Sequence, residues 1–258
     1  MQVRWVTVRA MKSSFYLVAL LLVSPLFAQA PTAVPLKGEP HHHLVLENDY
    51  VRVFRVSIPA HDASLLHQHD VPYLYISLGP ADVINAVEGK PEAHLVMTDG
   101  QVGYSLGHFA HIARTDAAYP FDNVTIELLK PQGEPRNLCA QVAPSAAQGT
   151  CPTFSPRPGE PMSSKPLFVT QLTAVGLVHF DANAKTVSTT PQMGTLTVML
   201  SESEIQIELE NEPARKLTKG QVIWIAAGAT EKIRNLGKQG VDFLQISTSA
   251  SAAIPKAQ

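Results

Sequence analysis

The sequence predicts an all-β chain of two similar β-domains in tandem. Three observations support this. Short runs rich in β-branched and aromatic residues are broken by Pro, Gly, Asp and Asn. No segment between Asp49 and Leu129 carries a helical apolar period. The same punctuation returns roughly 120 residues later, as a duplicated β-domain requires.

In the first half the predicted strands are Val51 to Val56, Tyr73 to Leu78, Ala93 to Met97, Gln101 to Tyr104, His111 to Arg114 and Asn123 to Leu129. In the second half they are Leu167 to Leu172, Thr195 to Leu200, Glu204 to Leu209, Gln221 to Ala226, Thr230 to Asn235 and Val241 to Ser247. Gly100-Gln101-Val102-Gly103-Tyr104 matches Gly220-Gln221-Val222-Ile223-Trp224, and Asp122 to Leu128 is aligned with Gly240 to Ile246. Between the halves, residues 131–166 hold eight prolines and few long apolar runs, and read as a linker or surface excursion. The domain layout is thus a leader at 1–30, a first barrel at 31–130, the linker, a second barrel at 167–249 and a frayed tail at 250–258.

Residues 1–30 read as an export signal: Lys12 precedes an apolar run from Ser14 to Val23, and Ala28-Gln29-Ala30 is a small-x-small cleavage site. Met11 makes a more compact start than Met1, and Pro31 is an awkward first mature residue, which allows cleavage nearby. A membrane anchor is the alternative, although the apolar run barely reaches spanning length. The expected location is the periplasm or the exterior, with no stable span after cleavage. Cys139 and Cys151, the only cysteines, are expected to pair there across a short loop, with two free thiols as the alternative.

A formal charge of -2, with no basic patch interleaved with aromatics, removes the usual driving force for nucleic-acid binding. Phosphate-cradling glycine loops, Gly-x-Ser-x-Gly elbows and dinucleotide-binding motifs are also absent from the sequence.

The strongest functional signal is His67-Gln68-His69. A spacing of two in a strand puts both imidazoles on one face, and His111 on a neighbouring antiparallel strand completes one side of a coordination sphere. Burying such rings without a partner or a metal is costly. Three neutral histidines leave a dipositive ion uncompensated, which favours an anionic ligand in the open positions. Iron, zinc, manganese, nickel and copper all accept imidazole. Tyr73 shares strand parity with the pair and is the candidate catalytic residue, as an orienting hydroxyl or weak acid, with a core tyrosine the plainer reading. Tyr75 and Tyr104 are weaker candidates. His41-His42-His43 is read as a cluster that gathers metal adventitiously, and Glu231 as a surface or salt-bridged carboxylate.

With His67-x-His69 followed by Gly107-x-x-x-His111, the chain resembles the cupin family of conical β-barrels. The match is imperfect: the carboxylate of the first motif falls at Tyr73 or Leu74, and the closing Asn of the second is Thr115. In the second half Gly220, Gly228 and Asn235 are in place, but the metal histidine has become Glu231 and there is no His-x-His. The resemblance implies two jelly-roll, double-stranded β-helix barrels, the first holding one divalent transition metal and the second without a site. It implies action on, or binding of, a small acidic or enolic molecule, with dioxygenase chemistry as one form. A non-catalytic small-molecule or carbohydrate-binding module and a structural or interaction protein, including a homodimer through an exposed sheet, are the alternatives.

Overall fold

The computed structural model describes residues 2, 32–152, 159–182, 184 and 186–249; the expected signal and tail lie outside the described residues. The first half contains β1 (Val34–Pro35), β2 (His42–Glu47), β3 (Val51–Ile58), β4 (His67–His69), β5 (Tyr73–Ser77) and β6 (Ala81–Val87). It continues with β7 (Ala93–Met97), β8 (Val102–Ser105), β9 (Phe109–Arg114) and β10 (Phe121–Leu128). The remainder is β11 (Arg136–Asn137), β12 (Ala147–Gln148), β13 (Met162–Val169), β14 (Thr173–Phe180), β15 (Val187–Thr189) and β16 (Gly194–Met199). It closes with β17 (Ile205–Leu209), β18 (Arg215–Leu217), β19 (Val222–Ile225), β20 (Glu231–Asn235) and β21 (Val241–Thr248).

These strands form two double-sheet barrels of the same topology. In the first, sheet β2-β3-β10-β5-β8 faces sheet β1-β4-β9-β6-β7. In the second, β13-β14-β21-β16-β19 faces β15-β20-β17-β18, and the first of these sheets is extended at its edge by β11 and β12. The alternation of side chains gives each strand one inward face.

The duplication extends to single hydrogen bonds. The Gly100 and Gly220 N–H groups donate to Ser77 O (2.9 Å) and Met199 O (2.8 Å), and both glycines sit at positive φ, 73° and 77°. The Thr98 N–H donates to Gln101 Oε1 at 3.0 Å, and the Thr218 N–H to Gln221 Oε1 at 2.9 Å. At the last strand the register corrects the sequence alignment. Leu78 and Leu200 donate to Asp122 O and Asp242 O, so the partner of Asp122 is Asp242 rather than Gly240.

The two barrels pack through one apolar layer, in which Leu74, Ile76, Val124 and Ile126 of the first meet Phe168, Leu196, Val198 and Leu244 of the second. Residues 131–166 do more than link. Besides supplying β11, β12 and the start of β13, they bury Val142 and Ala143 in that layer. The buried Asn137 amide clasps the loop, accepting the Val142 and Ala143 N–H groups (both 2.9 Å) and donating to Ala143 O (2.8 Å). The Cys139–Cys151 disulfide is present, so it has this clasp beside it rather than being the segment's sole stiffener.

Candidate metal centre

The hollow of the N-terminal barrel is a cavity of about 290 Å³. Its walls are mostly apolar, with Val56, Ile58, Val83, Met97 and Phe121 among them. Four histidines line one part of it, which is one more than the sequence suggested.

β4 and β9 pair antiparallel with His67 opposite His111, so the strand spacing read from the sequence does put His67, His69 and His111 on one inward face. The turn before β9 is fixed by Gly107, at φ 70°, where a Cβ would lie 2.2 Å from Val71 O. His108 follows in the same turn and donates its N–H to His69 O (2.6 Å), which locks β9 against β4. His69 Nε2 and His111 Nε2 stand 3.1 Å apart. Two metal–nitrogen bonds of about 2.0–2.1 Å meeting between a right angle and the tetrahedral angle hold their nitrogens about 2.8–3.4 Å apart, so this spacing suits a shared ion.

The fourth histidine corrects the reading of His41-His42-His43. β2 alternates so that His43 faces solvent while His42 is buried, its ring centroid 4.7 Å from that of His67 and 6.4 Å from that of His69. Ligand nitrogens of His42, His67 and His69 all lie within 4.8 Å of one another. That tight trio leaves out His111, yet His111 Nε2 stands 3.1 Å from His69 Nε2; all four rings are therefore taken as one donor set.

Each ring has a defined outer partner or an orphaned nitrogen. His67 donates from Nδ1 to Leu65 O (2.8 Å), which leaves its buried Nε2 without a partner. His111 donates from Nδ1 to Asn85 Oδ1 (2.5 Å), which leaves Nε2 as the donor atom. The His42 Nδ1 lies 2.5 Å from the buried carboxylate of Glu39, which leaves its Nε2. His69 keeps a buried Nδ1 with no partner. The orphan on His67 is costly in a protein interior, and an ion that accepts its lone pair removes that cost. The residues present therefore fit a divalent transition metal.

Electrostatics prepare the rings for that role. Burial, aided by the neighbouring His42, pushes His67 down to about 4. Burial, then His67 and His42, pushes His111 down to about 3, and burial pushes His69 lower still. All three are neutral at pH 7, as ligands must be. Burial works to raise Glu39, but hydrogen bonds from the His42 ring and from the Leu65 and His41 N–H groups outweigh it and hold the carboxyl at about 2.

Where the cupin pattern has a ligating carboxylate, Tyr73 lies stacked on His69, with ring centroids 4.0 Å apart and planes 16° from parallel. Its hydroxyl bonds Ser105, and burial pushes its pKa above the usual tyrosine range, so it is a neutral hydrogen-bonding group. Tyr75 lines the cavity as well, held over Gly103. Tyr104 reaches the edge of the cavity but is buried mainly in the layer between barrels, against Phe168. Among the described residues Lys90, in the β6–β7 turn, is the one lysine or arginine lining the cavity, and no Asp or Glu does so.

Among the described residues the second barrel's interior is occupied instead by an apolar cluster. Phe180, Met199, Ile205, Ile233 and Phe243 fill its interior. Glu231 is not the surface or salt-bridged carboxylate expected from sequence. It is buried, accepts the Thr189 hydroxyl (2.7 Å) on Oε1, leaves Oε2 without a partner, and has its pKa raised by burial.

No family model matches the sequence, and no curated protein matches it. Solved structures do match in shape. AerE from Microcystis aeruginosa is 11% identical over 82% of this chain and 98% of its own, with a TM-score of 0.57. A salicylate 1,2-dioxygenase from Pseudaminobacter salicylatoxidans is 11% identical over 80% and 76%, with a TM-score of 0.58. A cupin 2 conserved barrel domain protein from Leptotrichia buccalis is 10% identical over 81% and 88%, with a TM-score of 0.52. At these identities the likeness is one of fold, and by fold this chain is a two-barrel cupin.

Proposed function

We propose that the chain is a one-metal cupin whose N-terminal barrel binds a small acidic or enolic molecule beside a divalent transition metal, with dioxygenase chemistry the form favoured if the ion is iron. The observation that carries this reading is the convergence of His42, His67, His69 and His111 on one wall of a largely apolar cavity, with the buried Nε2 of His67 left without a protein partner. Bound there, such an ion supplies Lewis acidity and, for a redox-active metal, a place for dioxygen.

The chain's own residues do the rest. Three histidines held neutral by burial, with the single Glu39 carboxylate behind His42, would leave a bound dipositive ion under-compensated, and Lys90 adds a positive charge at the cavity edge, so an anionic ligand is drawn in. The apolar walls exclude water, and the hydroxyls of Tyr73 and Ser105 orient polar groups of the ligand. A salicylate 1,2-dioxygenase of this fold has been solved with gentisate, which supports an acidic, oxygen-rich ligand as the class to screen.

One observation favours a second reading. No carboxylate lines the cavity and Tyr73 is held protonated, so no strong general base stands ready, and a non-catalytic binding or sensing module needs none. We further propose export to the periplasm or exterior, a reading supported by the leader sequence and by the disulfide; cell fractionation tests it.

The function is tested by plasma mass spectrometry on protein purified without a tag. Near-stoichiometric metal is expected in the wild type and in a His41→Ala/His43→Ala variant, with strong loss in His67→Ala/His69→Ala and in His42→Ala. Background metal in the wild type after reconstitution refutes the metal reading.

A further inference from the structure

Glu39 is a fully buried carboxylate with no lysine or arginine partner among the described residues. Its Oε2 lies 2.5 Å from His42 Nδ1 and accepts the His41 N–H at 2.8 Å, while Oε1 accepts the Leu65 N–H at 3.1 Å. The carbonyl of the same Leu65 accepts the His67 Nδ1–H at 2.8 Å. One carboxylate therefore holds His42 directly and His67 through a single residue. It sits where the 3-10 turn Leu36–Gly38 meets β2, and that turn is anchored by buried Leu36.

A buried carboxylate with three hydrogen bonds still carries its charge, and burying a charge without a counter-charge is costly. Among the described residues its one ring partner is His42, whose other side faces His67 and His69. Resting on the one-metal reading above, we propose that Glu39 is the metal centre's carboxylate acting at one remove. It is a positioning residue that keeps His42 as the Nδ1–H tautomer with Nε2 toward the ion and offsets one unit of its charge. The direct carboxylate of the cupin pattern, displaced here by Tyr73, is thereby replaced without spending a coordination position on it. Outer carboxylates of this kind typically set metal affinity by about 10- to 100-fold.

The test compares wild type with Glu39→Gln, which keeps shape and removes charge. Cobalt(II) and zinc(II) affinities are measured by competition with a chromophoric chelator, alongside the cobalt(II) absorption spectrum and circular dichroism. The expected result is a folded variant binding about 10- to 100-fold more weakly, with displaced cobalt bands. A folded variant with affinity within twofold of wild type and the same spectrum overturns the proposal while leaving the metal reading intact. A wild type that binds neither metal overturns both. If Glu39→Gln does not fold, 15N chemical shifts of His42 in the zinc-loaded wild type decide the matter. Nε2 ligation with a protonated Nδ1 is expected, and ligation through Nδ1, or none, overturns the proposal.

Discussion

Lowering the pH from 7.5 to 5.0 should destabilise the metal-free protein through its buried histidines. In the unfolded chain each titrates near its ordinary value of about 6.5. In the folded state His67 is lowered to about 4, His111 to about 3, and His69 further. The stability they confer is therefore complete above pH 6.5. It falls as the unfolded chain takes up protons the folded chain refuses, and the loss is complete only below the folded values. At pH 5 a group whose folded value lies well under 5 costs about RT ln 30, or about 2 kcal/mol, and three such groups cost about 6 kcal/mol. Glu127 and Glu231, both raised by burial, work in the opposite direction, so the quantity to measure is a difference. Urea unfolding followed by tryptophan fluorescence should show that His67→Gln/His69→Gln loses about 4 kcal/mol less than wild type between the two pH values. Equal losses in the two proteins would mean that these rings are not buried neutral donors, and the electrostatic basis for the metal centre would fall with them.

Two further outcomes follow from single contacts. A Cβ at Gly103 would lie 2.1–2.4 Å from the Tyr75 ring, so Gly103→Ala must expel that ring from the cavity wall. It should cost about 1–3 kcal/mol in chemical unfolding and weaken small-molecule binding while metal content stays unchanged; loss of metal would show that Tyr75 supports the centre itself. Cys139→Ser/Cys151→Ser opens a loop with a sequence separation of 12, for which chain entropy allows about 3 kcal/mol, read as a lower thermal midpoint under oxidising conditions. The variant should still fold and load metal because the Asn137 clasp remains, and complete misfolding would refute that account.

Several strands were legible from sequence: Ala93–Met97 appears as expected, and the β-branched runs Val51–Ile58 and Val241–Thr248 extend their predicted cores by only a residue or two. β6 was missed because Asp82 and Asn85 dilute its β-propensity, although Asn85 faces the cavity and holds His111. β14 was missed because Gly176 and His179 interrupt it. The His67, His69 and His111 face was legible because a period of two is local and pairing of neighbouring strands is the default. His42 was not, since its place depends on β2 folding back along β3, a non-local fact, and a run of three histidines disguises the single one that turns inward. Glu39-x-x-His42 before the apolar run Leu44-Val45-Leu46 was the available signal. The carboxylate looked missing only because it acts through an imidazole.

The two barrels show what the same scaffold does with and without a site. Pairing of β4 with β9 sets His67 opposite His111, and pairing of β15 with β20 sets Thr189 opposite Glu231. The following turn is kept in both, with the Ala117 N–H donating to Thr115 Oγ1 (3.2 Å) and the Gly237 N–H to Asn235 Oδ1 (2.8 Å). The missing Asn of the first barrel is thus replaced in function by Thr115. The backbone frame has been retained while the interior has diverged. In the second barrel the position of His111 holds a carboxyl that burial keeps toward its neutral form and a threonine hydroxyl satisfies on one side, amid phenylalanine, methionine and isoleucine. A neutral carboxyl in a filled core is a poor metal ligand, whereas neutral imidazoles around a hollow are good ones. The second barrel's apolar face closes the outer side of the sheet carrying Tyr73 and Tyr75, whose inner side lines the cavity. A substitution in that shared layer should act on the first barrel's cavity by shifting this sheet, and the histidine-bearing strands β4 and β9, on the opposite sheet, are the elements it should disturb least.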